Sequence, residues 1–199
     1  MVAKATTPRL GWRCWGVKTP VLASRGFRSS ATRGRLTFRV TSLMYQVCVI
    51  TVIAAPPTVC FDLARSVDAH LESAANTGEK AVGGKTSGLL GLGDEVTWEG
   101  RHFGVRQRLT SRITQFVRPS FFQDRMVAGA FRFLEHDHAF EPRDGGTVMT
   151  DVVRFVAPLG PLGWVAERAF LASHLRRFLV QRGAALKGMA ERDIERAIQ

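Results

Sequence analysis

Apolar and polar residues alternate along most of residues 94–156. The segments DEVTWEG, HFGVRQRLTSRITQF, FFQDRMVAG, FLEHDHAFEP and GTVMTDVVRFV follow one another there, separated by turns that contain glycine or proline. A period of two residues is typical of β-strands with one buried face. Because the turns are short, the pattern predicts a run of antiparallel strands joined as hairpins.

Two other regions complete the predicted order of elements. Residues 45–53 are rich in β-branched side chains and predict a strand, and the following PPTVCFDLARSVDAHLES predicts one or two short helices that begin near Pro57. Residues from about 161 to 190 predict one long helix. Its apolar stripe comprises Trp164, Leu171, Leu175, Phe178, Leu179 and Leu186.

This order predicts an α+β fold. One face of an antiparallel sheet needs an apolar cover, and the long C-terminal helix is the element large enough to supply it. If the sheet curls around that helix, the space between them becomes a cavity lined by inward-facing side chains. The uncharged residues 40–61 are long enough for a signal peptide or membrane span, but Pro56 and Pro57 interrupt them and favour a strand followed by a helix.

The positive charge is concentrated at the N-terminus. The chain has a formal charge of +11, yet residues 1–43 hold nine of its 28 lysines and arginines and no acidic residue. The remainder has 19 basic and 17 acidic residues, so we expect no nucleic-acid partner for the folded domain. Residues 1–43 are interpreted as a disordered or organelle-targeting extension, or as an upstream artefact if translation starts at Met44.

Domain boundaries and compartment follow from these patterns. We expect an extension over 1–43, a single domain over 44–190, and a tail or helix end over 191–199. The three cysteines, Cys14, Cys48 and Cys60, are widely spaced and odd in number, which predicts neither a disulfide framework nor a metal site. This usage favours a reducing compartment, so we expect a cytoplasmic protein unless the extension directs it to an organelle.

Several local motifs resemble those of one superfamily. IAAPPTVCFDLA (53–64), FFQDRMVAGAF (121–131), LEHDHAF (134–140) and TDVVRFVAPLGPLG (150–163) are similar to segments of the START/Bet v1-like (SRPBCC) superfamily, in its polyketide cyclase/dehydrase and lipid-transport group. The resemblance covers about residues 45–190. It implies the helix-grip fold, a curved antiparallel sheet around a long C-terminal helix with two short helices after the first strand. Because this superfamily contains carriers, cyclases, hydrolases and regulatory proteins, it implies fold more strongly than function.

Two histidines carry the candidate chemistry. On a strand, His136 and His138 share the apolar face and point into the cavity, whereas Glu135 and Asp137 point to solvent. The tight turn at 142–146 brings Asp151 of the following strand close to His136. A buried carboxylate needs such a partner.

Three interpretations of this group remain open. It is a hydrogen-bonded polar patch that orients a ligand, an acid/base pair of His136 and Asp151, or a metal site of two histidines and one carboxylate. Spacing of two residues is common by chance and the resemblance does not favour a metal. We therefore expect no metal and no other cofactor.

The favoured function is non-enzymatic binding of a hydrophobic or amphipathic small molecule, such as a lipid, quinone or polyketide-like compound, in the internal cavity. Transient contact with a membrane is compatible with such a carrier. The expected ligand contacts are Trp98, Phe122, Asp124, Met126, Leu134, His136, His138, Phe140, Met149, Asp151, Phe155 and Phe178.

Two alternatives belong to other functional classes. One is a cyclase or dehydrase in which His136 and Asp151 move a proton at a substrate carbonyl. The other is a regulatory module that binds a protein through a basic outer face carrying Arg106, Arg108 and Arg112. An enclosed cavity of several hundred Å³, within the range of about 300–1,000 Å³ that ligand pockets occupy, favours a binder or an enzyme. A filled interior favours the regulatory module.

The glycine-rich segment 78–93 contains GGKTSG, which resembles part of a phosphate-binding loop. The first glycine of that motif is replaced by Glu79, so we reject nucleotide binding. We interpret the segment as a mobile lid or hairpin loop at the cavity mouth.

Overall fold

The computed structural model describes residues 44–74, 78–102, 104–156 and 170–198. The predicted extension over 1–43 and the predicted beginning of the long helix, including Trp164, lie outside these residues. The strands are β1 (Tyr45–Ile53), β2 (Lys80–Gly84), β3 (Glu95–His102), β4 (Val105–Val117), β5 (Phe121–Ala128), β6 (Phe133–Arg143) and β7 (Gly146–Val156). The helices are α1 (Pro57–Ala64), α2 (Val67–Ser73) and α3 (Ala172–Ile198).

The seven strands form one antiparallel sheet in the order β1-β7-β6-β5-β4-β3-β2. Two irregularities in register interrupt the pairing of β4 with β5, one between Thr110 and Ser111 and one between Ile113 and Gln115. Bulges of this kind bend a strand and increase its twist, which curves the sheet toward the helices. The predicted α+β helix-grip architecture is confirmed.

The short helices begin where the local sequence favours them. Pro57 occupies the first turn of α1, where its missing N–H has no helical partner to lose. The Ser66 side chain caps α2 by accepting a hydrogen bond from the Ala69 backbone N–H at 3.2 Å. Helix α1 then places Phe61, which is completely buried, over the concave face of the sheet.

Helix α3 continues eight residues beyond its predicted end, and its C-terminal half is held against β1. A Cβ atom on Gly183 would lie 2.5 Å from Thr51 Oγ1, so this close approach requires glycine. Farther along the helix, Lys187 Nζ donates to the Val52 carbonyl at 2.8 Å. Glu191 Oε1 accepts a hydrogen bond from the backbone N–H of Ala54, just after β1, at 2.8 Å. These contacts fix the position of α3 at one end of the sheet.

The apolar core divides into two clusters. The first core cluster lies under α1, α2 and the C-terminal half of α3, and the second core cluster lies under the N-terminal half of α3. Buried members of the first include Ile53, Phe61, Val67, Val96, Ile113, Phe122, Phe140, Met149, Leu186 and Met189. Buried members of the second are Val47, Val49, Leu134, Val153, Phe155 and Leu179, with Phe131, Leu171, Leu175 and Phe178 packed against them.

The convex face differs from the expectation at one position. Asp137 is not solvent-facing: its exposed fraction is 2 %. Strand β6 is central in the sheet, and Asp137 contacts neighbours on both sides, accepting from Gln123 Nε2 at 2.8 Å and pairing with Arg154 at 2.6 Å. Near the sheet edge the exposed arginines of β4 are paired, since Arg108 donates to Glu99 and Arg112 donates to Glu95. This pairing reduces the positive potential expected of a basic docking face.

Other sequence interpretations have direct structural counterparts. The glycine-rich segment contains β2, which pairs with β3, and residues 85–94 connect the two as a hairpin. None of the described helices is both long and apolar enough to cross a lipid bilayer. Cys60 is a free buried thiol, whereas Cys48 is disulfide-bonded, so the expectation of no disulfide is wrong for Cys48.

Candidate functional site

A partly open cavity of about 180 Å³ lies between the sheet and α3, where the two core clusters meet. It is smaller than the several hundred Å³ expected, but the interior is not filled. The first core cluster and its surroundings contribute Ala64, Leu90, Val96, Trp98, Ile113 and Phe122 to the lining. The second contributes Phe131, Leu134, Val153, Leu171, Leu175, Phe178 and Leu179.

The structure brings many of the expected ligand contacts to this cavity. Trp98, Phe122, Asp124, Leu134, His136, His138 and Phe178 line it, whereas Met126, Phe140, Met149, Asp151 and Phe155 do not. These five side chains point to the concave face of the sheet, as predicted. Their positions along the strands, however, put them away from the cavity. Phe140 and Met149 pack under α1, Phe155 and Met126 belong to the second core cluster, and Asp151 lies behind the histidines.

Four polar side chains form a histidine–aspartate cluster in the cavity wall: Asp124 of β5, His136 and His138 of β6, and Asp151 of β7. Strand pairing places His136 opposite Asp124 and His138 opposite Asp151. The hydrogen bonds are diagonal, because His136 Nε2 lies 3.0 Å from Asp151 Oδ1 and His138 Nε2 lies 3.1 Å from Asp124 Oδ2. Each histidine therefore has a carboxylate partner on a neighbouring strand, as the sequence predicted for His136.

The two imidazole rings are close together, with their planes tilted by 39°, and His138 stacks on Phe122. The centre of the His138 ring lies 3.8 Å from that of His136 and 4.2 Å from that of the Phe122 ring. His138 Nδ1 is 2.8 Å from Asp151 Oδ1, but it is not aligned for a hydrogen bond. The cluster is nearly dry, since the two histidines are 6 % and 1 % exposed.

Burial and charge assign different protonation states to the two histidines. Burial lowers the pKa of His136, and the neighbouring His138 lowers it further, against the opposing effect of Asp151. Burial also opposes protonation of His138, but its contacts with Asp124 and Asp151 outweigh burial and raise its pKa. The same contacts overcome the burial of both carboxylates and lower their pKa values.

These shifts favour the cationic form of His138, which lies between two carboxylates, and the neutral form of His136. When His136 Nε2 donates to Asp151, its Nδ1 carries the lone pair, and this atom lies 3.9 Å from Asp124 Oδ2. A neutral imidazole oriented by a carboxylate can accept a proton from a bound molecule. It can equally accept a hydrogen bond from a ligand without any chemistry.

Asp124, His136 and His138 could also provide metal ligands, because one donor atom from each lies within 4.8 Å of the others. The carboxylate in this set is Asp124 and not Asp151, the residue that the sequence suggested. Two imidazoles bound to one zinc ion at bonds of about 2.0–2.1 Å and a tetrahedral angle hold their ring centres about 5 Å apart. Since the centres of the His136 and His138 rings are only 3.8 Å apart, their arrangement suits a hydrogen-bonded cluster better than a metal centre.

Sequence reasoning missed two polar features of the lining. His70 of α2 stacks on Trp98 at 3.9 Å between ring centres, and its Nε2 lies 2.7 Å from Glu79 Oε2. No pattern in the sequence indicated this pair. Arg182 of α3 also lines the cavity. Its position three residues after Leu179 and four before Leu186 places it on the buried stripe of the helix, a signal that was present in the sequence.

Comparison with known proteins identifies the fold. No protein-family model and no curated protein sequence matches the chain. The structure is similar to the Zhui aromatase/cyclase from Streptomyces sp. R1128, with a TM-score of 0.62 and 18% identity over 76% of this chain and 96% of that chain. It is also similar to TTHA0849 from Thermus thermophilus, with a TM-score of 0.60 and 14% identity over 73% of this chain and 99% of that chain.

A plant protein has the same architecture. Ginseng major latex-like protein 151 from Panax ginseng matches with a TM-score of 0.54 and 12% identity over 74% of this chain and 97% of that chain. Identities this low establish the fold alone. Together with the sheet order and the position of α3, the matches show that this chain has the helix-grip fold that its resemblance to the START/Bet v1-like superfamily implied.

Proposed function

We propose that the protein binds a hydrophobic or amphipathic small molecule in the cavity between the sheet and α3. The observation that carries this proposal is the gap between two otherwise packed core clusters, lined mainly by apolar side chains. The apolar side chains that border the cavity remain partly accessible to water. A ligand that covers them contributes a binding free energy of about 25 cal/mol per Å² of apolar surface buried. The histidine–aspartate cluster supplies polar groups that orient the ligand.

The size of the cavity narrows the class of ligand. A volume of about 180 Å³ lies below the range of about 300–1,000 Å³ of most ligand pockets. It therefore suits a compact ring compound, such as a quinone head group or a polyketide-like ring system, better than a long-chain lipid. Trp98, Phe122 and Phe178 offer flat surfaces for such a ring.

Native mass spectrometry of the purified protein tests the proposal directly. We expect a copurified apolar compound that dissociates at higher collision energy and can be identified after solvent extraction. In parallel, binding of the neutral fluorescent probe N-phenyl-1-naphthylamine measures the cavity itself. Absence of both a copurified compound and probe binding would contradict the proposal.

A filled cavity provides the matched variant. Leu175→Trp places an indole at the lining and should weaken probe binding at least about tenfold, the equivalent of about 1.4 kcal/mol. Val180→Trp on the same helix is the control, because Val180 is 44% exposed and does not line the cavity. Equal probe affinity in the two variants would place binding elsewhere on the surface.

Acid/base catalysis is a second candidate, favoured by one observation. His136 lines the cavity, burial lowers its pKa and so favours the neutral form, and Asp151 at 3.0 Å orients its ring, as a general base requires. His136→Gln should leave ligand affinity within about tenfold but abolish cyclisation or dehydration of a polyketide-like substrate. Asp144→Asn in the exposed turn of the same hairpin is the control variant and should retain both affinity and turnover. Undiminished turnover in His136→Gln would remove the enzymatic candidate and leave the binding function intact.

A further inference from the structure

Arg182 of α3 is a charged side chain in the cavity lining with incomplete hydrogen bonding. Its Nη2 donates to the Ala64 carbonyl at the end of α1, at 3.0 Å. Its Nε is buried and has no hydrogen-bond partner within the described residues. No carboxylate of those residues forms an ion pair with Arg182 within 4.0 Å. A buried N–H of a guanidinium without an acceptor is costly, so the site favours a molecule that brings one.

The surrounding charges indicate which kind of acceptor. The positive charge of Arg182 acts on Asp124, His138 and His70, so the polar groups of the lining form one electrostatic unit. The carboxylates in or directly behind this unit are Asp124, Asp151 and Glu79; the cations are Arg182 and His138. Arg65 and Arg108 also line the cavity, but each is paired with its own carboxylate, Asp62 and Glu99 respectively, and so adds no net charge. The carboxylates outnumber the cations by one. A ligand carboxylate would add a further buried negative charge, whereas a neutral acceptor adds none.

We propose that the ligand carries a neutral carbonyl oxygen, as in a ketone, a quinone or an ester, which accepts a hydrogen bond from the guanidinium of Arg182. This inference rests on the proposed binding function and adds the chemistry of the ligand's polar group. The apolar lining holds the body of the molecule, and Arg182 sets which end of it points toward the histidine–aspartate cluster.

Four probes that share a naphthalene body test the inference by isothermal titration calorimetry. They are 2-acetylnaphthalene, the hydrocarbon 2-isopropylnaphthalene, 2-naphthoate and 1-(2-naphthyl)ethylamine. The wild-type protein should bind the ketone about tenfold more tightly than the hydrocarbon, since hydrogen bonds to charged groups are stronger than neutral ones. The ketone should also bind more tightly than the carboxylate and the amine.

Arg182→Met removes the donor and retains an unbranched apolar side chain. In this variant, affinity for the ketone should fall to within about twofold of that for the hydrocarbon, and affinity for the hydrocarbon should be unchanged or higher. Arg177→Met is the control, because Arg177 is exposed on the same helix and does not line the cavity. It should reproduce all four wild-type affinities. Circular dichroism checks that each variant is folded.

The outcomes separate this inference from the proposed function. Hydrocarbon binding as tight as ketone binding, or tighter binding of the carboxylate, overturns the inference and leaves the binding function standing. A ketone preference that survives in Arg182→Met also overturns it. If Arg182→Met does not fold, the ranking of the four probe affinities in the wild-type protein still tests the preference for a neutral carbonyl. Failure of all four probes to bind overturns the proposed function and the inference together.

Discussion

The two core clusters have similar apolar side chains but are covered differently. In the first core cluster, Phe61 of α1 is completely buried and makes edge-to-face contacts with Phe116, Phe122 and Phe140 at 5.2–5.5 Å between ring centres. In the second core cluster, Leu175 and Phe178 of α3 are only partly buried and line the cavity. Beneath α1 the first cluster is filled by the Phe61 side chain of its cover. Where the two clusters meet, residues of both border an open space, and α3 contributes Leu175 and Phe178 to its wall without filling it.

This difference shows where a binding cavity comes from in such a fold. The alternation along the strands supplies inward-facing apolar residues over the whole concave face. Whether the space above them is filled depends on the helix that covers them. The middle of α3 is in close contact with β1 at Gly183, whereas the preceding turns, with Leu175 and Phe178, lie over the cavity. Four measurements test this difference in packing between the two core clusters.

The largest effect is expected from Phe61→Ala. Removal of a fully buried ring from a packed cluster should lower the free energy of unfolding by about 4 kcal/mol. Phe178→Ala removes the same side chain from the border of the cavity and should cost only about 1–2 kcal/mol, because less surface is buried there. Urea-induced unfolding of both variants measures the difference. Equal losses would show that the second cluster is as tightly packed as the first.

Asp151→Asn should have the second largest effect. The substitution removes the carboxylate behind both histidines and leaves His136 Nε2 and His138 Nδ1 without their charged neighbour. We expect a loss of about 3 kcal/mol in unfolding free energy. Asp144→Asn in the exposed turn of the same hairpin should change stability by less than about 0.5 kcal/mol. A small effect at position 151 would argue against a charged cluster in the cavity wall.

Two glycines of α3 test how closely its C-terminal half approaches β1. Gly183→Ala should destabilise the protein by about 1–2 kcal/mol, because the new methyl group would meet Thr51 Oγ1 at 2.5 Å. Gly188→Ala meets only the flexible end of Arg192, so its higher helix propensity should stabilise the protein by up to about 1 kcal/mol. Thermal unfolding distinguishes the two, and stabilisation by both would disprove close contact at Gly183.

The smallest expected effect is a pair of opposite pH dependences. The pKa of His138 is raised on folding, so its stabilising contribution is complete below the unfolded value of 6.5 and is lost as pH rises through the folded value. Burial lowers the pKa of His70, so its contribution to stability increases as pH rises toward 6.5. Each shift of one unit corresponds to about 1.4 kcal/mol.

Unfolding of the wild type, His138→Gln and His70→Gln at pH values between about 5 and 8.5 measures these contributions. The stability difference between wild type and His138→Gln should shrink above pH 6.5, and that between wild type and His70→Gln should grow between about pH 5 and pH 6.5. The same sign for both would contradict a raised pKa of His138 together with a lowered pKa of His70.

The strands were predictable because their side chains alternate. Residues 45–53 and the five alternating segments from 94 onward correspond closely to β1 and to β3–β7. Strand β2 was missed because KAVGG contains two glycines and one charged residue, which leave no readable alternation. It exists because β3 offers it an edge, and such pairing depends on the tertiary structure.

The candidate site was only partly predictable for a related reason. Parity identified the inward direction of His136 and His138 and the proximity of Asp151 to His136. Parity does not indicate which inward residues lie beneath a filled part of the cover, so Phe140 and Met149 were expected to contact ligand and instead pack against α1. Asp124 was expected at the cavity, but its hydrogen bond to His138 depends on the register of β5 with β6.

Among the described residues, the hydrogen bonds and the close glycine contact that join α3 to β1 and its end lie from the middle of the helix onward, at Gly183, Lys187 and Glu191, whereas the earlier turns pack on the second core cluster through apolar side chains. The turns of α3 that lack these hydrogen bonds are easier to displace than the turns that have them. A ligand larger than the cavity would therefore displace the first two turns of α3 and leave the rest of the helix in place. We expect selectivity for ligand size to depend on the rigidity of those turns, so that substitutions there would alter the range of ligands bound.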